Sequence, residues 1–178
     1  RTVITAAHNF RPDIRGGKPS KRVTCIWPLA DPEITIHGTI ASHSFPDIDT
    51  AIVLLDSDPP LSAVALAQED AGPGDDVYFV GYPKTGLAQM ISPGAFSGST
   101  TGGQFFAKPH YGPAGGMVKG QSGGAALNAR GELLGSIAGG GGGGDNLATN
   151  ATATRRWMGI ENTTKLTQFT QRGGGKRP

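Results

Sequence analysis

The amino-acid sequence predicts an all-β protein, and three observations support that prediction. Short apolar runs recur along the chain, polar turn residues separate them, and no long stretch has helical periodicity. The chain has 29 glycines and 13 prolines in 178 residues, which is typical of many short strands joined by turns. A sandwich and a barrel both fit this pattern.

Taken in order, the elements fall into two halves of one domain that spans residues 1–178. A Gly-Pro-Gly link within 68–76 separates an N-terminal half, 1–67, from a C-terminal half, 68–154. In 33–41, isoleucines alternate with polar residues, which predicts that His37 faces solvent. Strands are predicted at 2–5, 21–27, 33–41, 51–55, 62–66, 77–82, 90–97, 104–108, 125–127, 132–138 and 148–154; a helix at 155–172 and a disordered basic tail at 173–178 follow.

Charge and composition exclude several classes of function. The net charge of +2 is too small to indicate nucleic acid or an anionic membrane as a partner, and no apolar run has the length of a membrane span. The four histidines and one cysteine show no metal-ligand spacing, so we expect no metal and no cofactor. Cys25 lies in an apolar run and is expected to be a buried, inert thiol. The oligomeric state is left open.

The motif Gly120-Gln121-Ser122-Gly123-Gly124 is the first candidate for chemistry. A serine between glycines can meet a substrate carbonyl closely, because the glycines have no Cβ. The N–H groups of Gly120 and Ser122 could form an oxyanion hole with two donors. A glycine turn before a strand explains the same residues, so the serine needs a base and an acid to count as a nucleophile.

Candidate partners lie upstream, in the order histidine, aspartate, serine. His8 follows Thr5-Ala6-Ala7, and Asp49 precedes the apolar run 51–55. An α/β-hydrolase elbow would place its histidine after the serine, and no histidine follows Ser122. A subtilisin-like order would need an acid before the histidine, and no acidic residue precedes His8.

Other titratable residues compete for these roles. His37 and His43 are alternative bases, but neither has the small-residue setting of His8. Asp47 is the main rival of Asp49, since it lies two positions away and could share its face. Asp56 and Asp58 flank two prolines and resemble solvated turn residues.

With these motifs in this order, the sequence resembles the trypsin-like (chymotrypsin-fold) serine peptidases. The matching segments are 3–8, Asp49-Thr50-Ala51 and 120–124, and 76–83 is similar to a strand of the bacterial branches. The resemblance covers the chain to about residue 154 and implies two six-stranded antiparallel barrels with the site between them. It also favours Asp49 over Asp47, because only Asp49 has the family's Asp-x-Ala sequence.

The resemblance implies a serine endopeptidase in which His8 is the base, Asp49 orients it and Ser122 is the nucleophile, with a polypeptide as partner. It implies a P1 pocket whose floor is Gly116, with Met117 beside it. Ala138, Gly139 and Gly140 would form the wall, and none of these residues is charged. Gln121 replaces the aspartate that animal digestive relatives pair with a cut N-terminus, so that activation route is not expected.

Two further expectations come from the resemblance. Relatives without disulfides are mostly bacterial or viral, and the family resemblance favours an extracytoplasmic location, secreted or periplasmic. A catalytically silent domain that binds extended peptides by strand addition is the alternative function.

The resemblance also implies that two strands precede the one leading to the catalytic histidine, whereas only Arg1 precedes residues 2–5. We therefore expect the first barrel to be incomplete at its N-terminus, with unpaired edges and partly uncovered apolar faces. A longer protein that includes upstream residues should melt at a higher temperature and turn over substrate faster than residues 1–178. Equal melting temperatures and equal turnover would contradict this expectation.

Overall fold

A computed structural model describes residues 1–10, 22–44, 48–84, 88–140 and 144–160. The all-β prediction is confirmed: ten strands and one short α-helix form the regular structure of this part of the chain. None of its helices has the length and hydropathy of a membrane span. The strands are β1 (Thr2–Thr5), β2 (Arg22–Trp27), β3 (Ile34–Ser44), β4 (Thr50–Leu55), β5 (Asp76–Gly81), β6 (Met90–Ser99), β7 (Gln104–Pro109), β8 (Ala125–Asn128), β9 (Leu133–Gly140) and β10 (Asn146–Thr149), and the helix is α1 (Ala151–Trp157).

The first half forms an open, antiparallel four-stranded sheet in the order β1-β4-β3-β2. This agrees with the expectation of an incomplete first barrel, because an open sheet stands here where the resemblance implies a closed six-stranded barrel. In the register of β1 with β4, Thr5 is opposite Ala51. The residues that follow β1 therefore lie at the same end of the sheet as the residues that precede β4, which brings His8 and Asp49 together.

The second half is a closed barrel in the order β10-β7-β6-β5-β8-β9. Its core contains Phe79 and Phe105, whose ring centroids are 6.3 Å apart, and ten fully buried apolar residues pack in this cluster. The equivalent cluster of the open sheet has three, Ile36, Val53 and Leu55. Among the described residues, the larger apolar core therefore belongs to the barrel.

The predicted strand at 62–66 is not a strand. Only Leu66 makes an isolated parallel bridge, to Leu133 at the start of β9. The main chain around it is nonetheless tied to the barrel, since Ala67 N–H donates to Leu133 O over 2.8 Å and Leu133 N–H donates to Ala65 O over 2.7 Å. Pro59 and Pro60 just before this segment lack the N–H groups that a longer ladder would need.

The last strand and the helix both begin earlier than predicted. The strand predicted at 148–154 is β10, which ends at Thr149, and the helix predicted at 155–172 is α1, which begins at Ala151. Asn150 divides the two elements because its side-chain oxygen accepts from Ala153 N–H over 2.7 Å, a helix N-cap. The predicted helical residues 161–172 and the tail 173–178 lie outside the described residues.

Cys25 and His37 occupy neighbouring strands of the open sheet. Cys25 is half-buried in β2 and packs against the apolar cluster of that sheet, and burial raises the pKa of its thiol. The raised pKa keeps the thiol protonated and makes it a poor nucleophile, although Cys25 is half-buried rather than buried as the sequence predicts. His37 is exposed on β3, which confirms that it faces solvent, and its Nδ1 lies 3.1 Å from Thr24 Oγ1.

Candidate active site

His8 lies in a 3₁₀ turn, Ala7–Phe10, that directly follows β1. Ala6 and Ala7 are completely buried, and the N–H of Ala7 donates to the main-chain oxygen of Asp49 over 3.2 Å. Larger side chains at these two positions would hold the turn away from β4. The small residues that singled out His8 in the sequence thus have a structural reason: they let the histidine backbone approach the aspartate.

The His8 and Asp49 side chains are in direct contact. His8 Nδ1 lies 2.6 Å from Asp49 Oδ2, and the His8 main-chain N–H donates to Asp49 Oδ1 over 2.8 Å. An ionised carboxylate only accepts hydrogen bonds, so this contact places the imidazole proton on Nδ1 and leaves Nε2 as an acceptor. Both oxygens of one carboxylate therefore fix the orientation and the tautomer of His8.

Asp49 has an unusual backbone conformation. Among the described residues, Asp49 is the non-glycine residue with a positive φ, 48°, and the residue as a whole is only 8% exposed. Aspartate tolerates this left-handed conformation better than most residues, but such strain still costs about 1–3 kcal/mol. The contacts around Asp49 must offset that cost.

Ser122 lies in a tight loop just before β8. The loop is attached to β9 in both directions, because Gly123 N–H donates to Ile137 O over 2.8 Å and Ile137 N–H donates to Gly124 O over 2.9 Å. Gly120 and Gly123 have φ of 105° and 87°, which explains glycine at both positions. Within the described part of the chain, the N–H groups of Gly120 and Ser122 donate to no other group. Two unpaired donors therefore flank the serine.

Gln121 anchors this loop from inside the protein. Its side chain is fully buried, its Oε1 accepts from Val118 N–H over 2.7 Å, and its Nε2 donates to Met90 O over 3.4 Å. The sequence identified only the missing charge at this position. Its role as a buried link between the loop and β6 had no signal in the sequence.

Asn9 connects the two halves at the candidate nucleophile. Its Nδ2 donates to the main-chain oxygen of Ser122 over 3.1 Å, so the residue after His8 contacts the serine itself. A Cβ on Gly123 would lie 2.2 Å from Thr5 Oγ1 and 2.6 Å from Asn9 Nδ2. Among the described residues, no hydrogen bond joins His8 to Ser122. Catalytic hydrogen bonds are often long without substrate, so both residues remain candidates.

Three of the predicted pocket residues meet at Asn146 in β10. Its Oδ1 accepts from Met117 N–H over 2.9 Å, a Cβ on Gly116 would lie 3.3 Å from the same oxygen, and Gly140 is its register partner. Ala138 and Gly139 precede Gly140 along β9, and the Met117 side chain packs on the barrel core. Asn146 is 1% exposed, and its Nδ2 is a buried donor with no partner in the described chain. It is a polar neighbour that the sequence did not single out.

The structure places the competing residues elsewhere. His43 is exposed on β3, Asp56 pairs with Arg22, and Asp58 lies 3.5 Å from the N-terminal ammonium group. Asp47 lies outside the described residues. The contact with His8 is therefore made by Asp49.

Comparison with known proteins shows the family of the chain. The family described as "Trypsin-like peptidase domain" matches residues 1–135, which include His8, Asp49 and Ser122. The chain belongs to this family. No curated protein sequence matches the chain.

Solved structures support the trypsin-like fold. The serine endoprotease from Yersinia pestis aligns with a TM-score of 0.65 and 18% identity, over 90% of this chain and 54% of that chain. The chain therefore spans about half the length of that protease. The Rv3671c protease in an inactive form aligns with a TM-score of 0.62 and 21% identity, over 90% of this chain and 79% of that chain. An inactive form of Rv3671c from M. tuberculosis H37Rv aligns with a TM-score of 0.62 and 20% identity, over 89% of this chain and 75% of that chain.

Within the described residues, no group of His, Cys, Asp or Glu is arranged to hold a metal ion in this trypsin-like domain. The His8 and Asp49 side chains are in direct contact, and Asn9, the residue after His8, donates to the Ser122 main chain. The chemistry that this site can offer without further groups is therefore proton transfer and nucleophilic attack.

The contact at Gly123 gives a testable prediction about stability. Gly123→Ala should destabilise the protein more than Gly131→Ala does, as measured by urea denaturation. Both glycines have positive φ, 87° and 75°, so alanine is strained at both by about 1–2 kcal/mol. Only the Cβ at Gly123 meets neighbouring atoms, since nothing lies within 4 Å of the one at Gly131. Equal decreases in the free energy of unfolding for the two variants would show that the two halves do not contact closely at Gly123.

Proposed function

We propose that this domain is a serine endopeptidase with Ser122 as nucleophile, His8 as general base and Asp49 as the residue that orients the base. The observation that carries the proposal is the 2.6 Å contact of His8 Nδ1 with Asp49 Oδ2. Nearby, the loop of Ser122 has two N–H groups, of Gly120 and Ser122, that find no acceptor among the described residues. The order of the three motifs and the trypsin-like family membership support it.

In the proposed mechanism, His8 Nε2 takes the proton of Ser122 Oγ as Oγ attacks the carbonyl carbon of a peptide bond. The carbonyl oxygen becomes an oxyanion, and the N–H groups of Gly120 and Ser122 donate to it. Asp49 stabilises the imidazolium that forms. His8 then gives its proton to the leaving amine as the C–N bond breaks, and water hydrolyses the acyl-enzyme by the same route.

The alternative is a silent, trypsin-like domain that binds extended peptides without cleaving them. The observation in its favour is that no described hydrogen bond joins His8 and Ser122. The unpaired N–H donors and the His8–Asp49 contact favour the peptidase, since neither feature is needed for binding alone.

Labelling with a fluorophosphonate tests the nucleophile. The probe should modify Ser122 in the folded protein, and Ser122→Ala should abolish the labelling seen by mass spectrometry. Ser57→Ala is a matched control, because Ser57 is exposed in the turn after β4 and has no role in the proposed site. Labelling that persists in Ser122→Ala would contradict the assignment.

His8→Ala should lower turnover by about 10⁴-fold or more, because Ser122 then lacks its base.

The uncharged surroundings of Gly116 predict the substrate preference. Cleavage should follow apolar or small P1 residues rather than Lys, Arg or Glu, because a charged side chain would be buried there without a partner of opposite charge. A peptide library, read by mass spectrometry with Ser122→Ala as the blank, measures this preference. A profile dominated by Lys or Arg at P1 would be the contrary result.

A further inference from the structure

Three buried hydroxyl groups, those of Thr50, Ser136 and Thr149, contact one another close to the main chain that precedes Asp49. We call them the hydroxyl cluster. Their residues are 0%, 1% and 0% exposed. Thr50 belongs to β4 of the open sheet, whereas Ser136 and Thr149 belong to β9 and β10 of the barrel. The cluster therefore joins the two halves of the domain through buried polar contacts.

Each hydroxyl contacts the other two. Thr50 Oγ1 lies 3.2 Å from Ser136 Oγ and 3.0 Å from Thr149 Oγ1, and the last two atoms are 3.3 Å apart. Thr149 Oγ1 also lies 3.3 Å from the main-chain oxygen of Ser136. Each hydroxyl has one proton to donate. Among the described residues, the acceptors within reach of Ser136 Oγ are the two threonine hydroxyls, so its proton goes to one of them. The threonine protons then remain for other acceptors.

The other main-chain acceptor is the oxygen of Ile48. Thr50 Oγ1 and Thr149 Oγ1 lie 3.1 and 3.2 Å from it. This oxygen belongs to the peptide that directly precedes Asp49, so holding it restricts rotation about the N–Cα bond of Asp49. That rotation is the φ angle with the strained value of 48°. The hydroxyl cluster thus acts on the backbone angle that aims the carboxylate.

The same strand of the barrel also holds the serine loop. Ile137, next to Ser136, accepts from Gly123 N–H over 2.8 Å. Gly135, on the other side, allows β10 to approach, because a Cβ there would lie 2.2 Å from Thr149 O. Ile137 therefore binds the Ser122 loop directly, whereas Ser136 is linked to the peptide before Asp49 through the hydroxyls of Thr50 and Thr149.

We propose that Thr50, Ser136 and Thr149 are positioning residues that hold Asp49 on His8 and in line with Ser122. The proposal rests on the proposed function for its kinetic consequence, but its structural part concerns only the His8–Asp49 contact. The three residues act through the Ile48 carbonyl and need no contact with substrate. Their loss should therefore lower kcat and leave KM nearly unchanged.

The first measurement is the proton NMR signal of the His8 Nδ1–H, which appears at low field only when the proton is held by Asp49. Thr149→Val should weaken or abolish this signal, and Thr149→Ser should restore it because the hydroxyl is retained. Thr154→Val is the matched control. Thr154 is equally buried, and its hydroxyl donates to Asn150 O over 2.9 Å in α1, away from Asp49. An unchanged signal in folded Thr149→Val would overturn the proposal, whether or not the protein is a peptidase.

The second measurement is a double-mutant cycle on turnover of a peptide substrate. Thr149→Val should lower kcat about tenfold or more, since misplacement of a catalytic group by about 1 Å costs up to 100-fold. In an Asp49→Asn background the same change should have less than about a twofold effect, because the group it positions has lost its charge. Equal effects in both backgrounds would show that Thr149 acts by another route.

Thr149→Val removes a hydrogen-bond partner from the buried Thr50 hydroxyl and from the Ile48 carbonyl. The folding of this variant must therefore be checked by circular dichroism. If it does not fold, Ser136→Ala provides the test, because it removes the hydroxyl that contacts both threonine hydroxyls and so loosens their hold on Ile48 O. In that variant the Nδ1 proton of His8 should exchange with water faster than in the wild type. Unchanged exchange would overturn the proposal, and absent turnover in the wild type with normal NMR behaviour would refute the proposed function alone.

Discussion

The antiparallel pairing of β1 with β4 is the constraint on which the candidate site depends. With Thr5 opposite Ala51, the end of β1 and the start of β4 lie side by side. His8 and Asp49 are 41 positions apart in sequence, yet both backbone and side chain of His8 bind the same carboxylate. A one-residue slip would turn the side chains of β1 to the opposite face and separate the pair.

The two halves of the domain contribute differently to this site. The barrel, with its larger buried core, carries Ser122 on a loop held by β9 and by the buried Gln121. The open sheet carries His8 and Asp49 on a smaller core. Alignment of His8 with Ser122 therefore depends on contacts between the halves. The described ones include the Asn9–Ser122 hydrogen bond, the close approach at Gly123 and the hydroxyl cluster.

Polar groups buried at this junction explain why a strained residue can persist there. Asp49 is held through its carboxylate by His8, through its main-chain oxygen by Ala7, and through the preceding peptide by two hydroxyls. Each such hydrogen bond contributes about 1 kcal/mol, which together can offset a backbone strain of about 1–3 kcal/mol. Strain kept by surrounding contacts in this way is common at functional sites.

The sequence by itself determined the strand content and the three candidate motifs, because strand alternation, turn residues and small-residue settings are local properties. It indicated His8, Asp49 and Ser122 without showing that His8 contacts Asp49 or that Asn9 contacts Ser122. It could not give Asn9, Gln121, Asn146 or the hydroxyl cluster, since an asparagine, glutamine or threonine has many local uses. Nor could it show that 62–66 docks by a single bridge rather than as a strand. These roles depend on atoms distant in the chain, as for Thr50 and Thr149, so only the packing of the sheet against the barrel decided them.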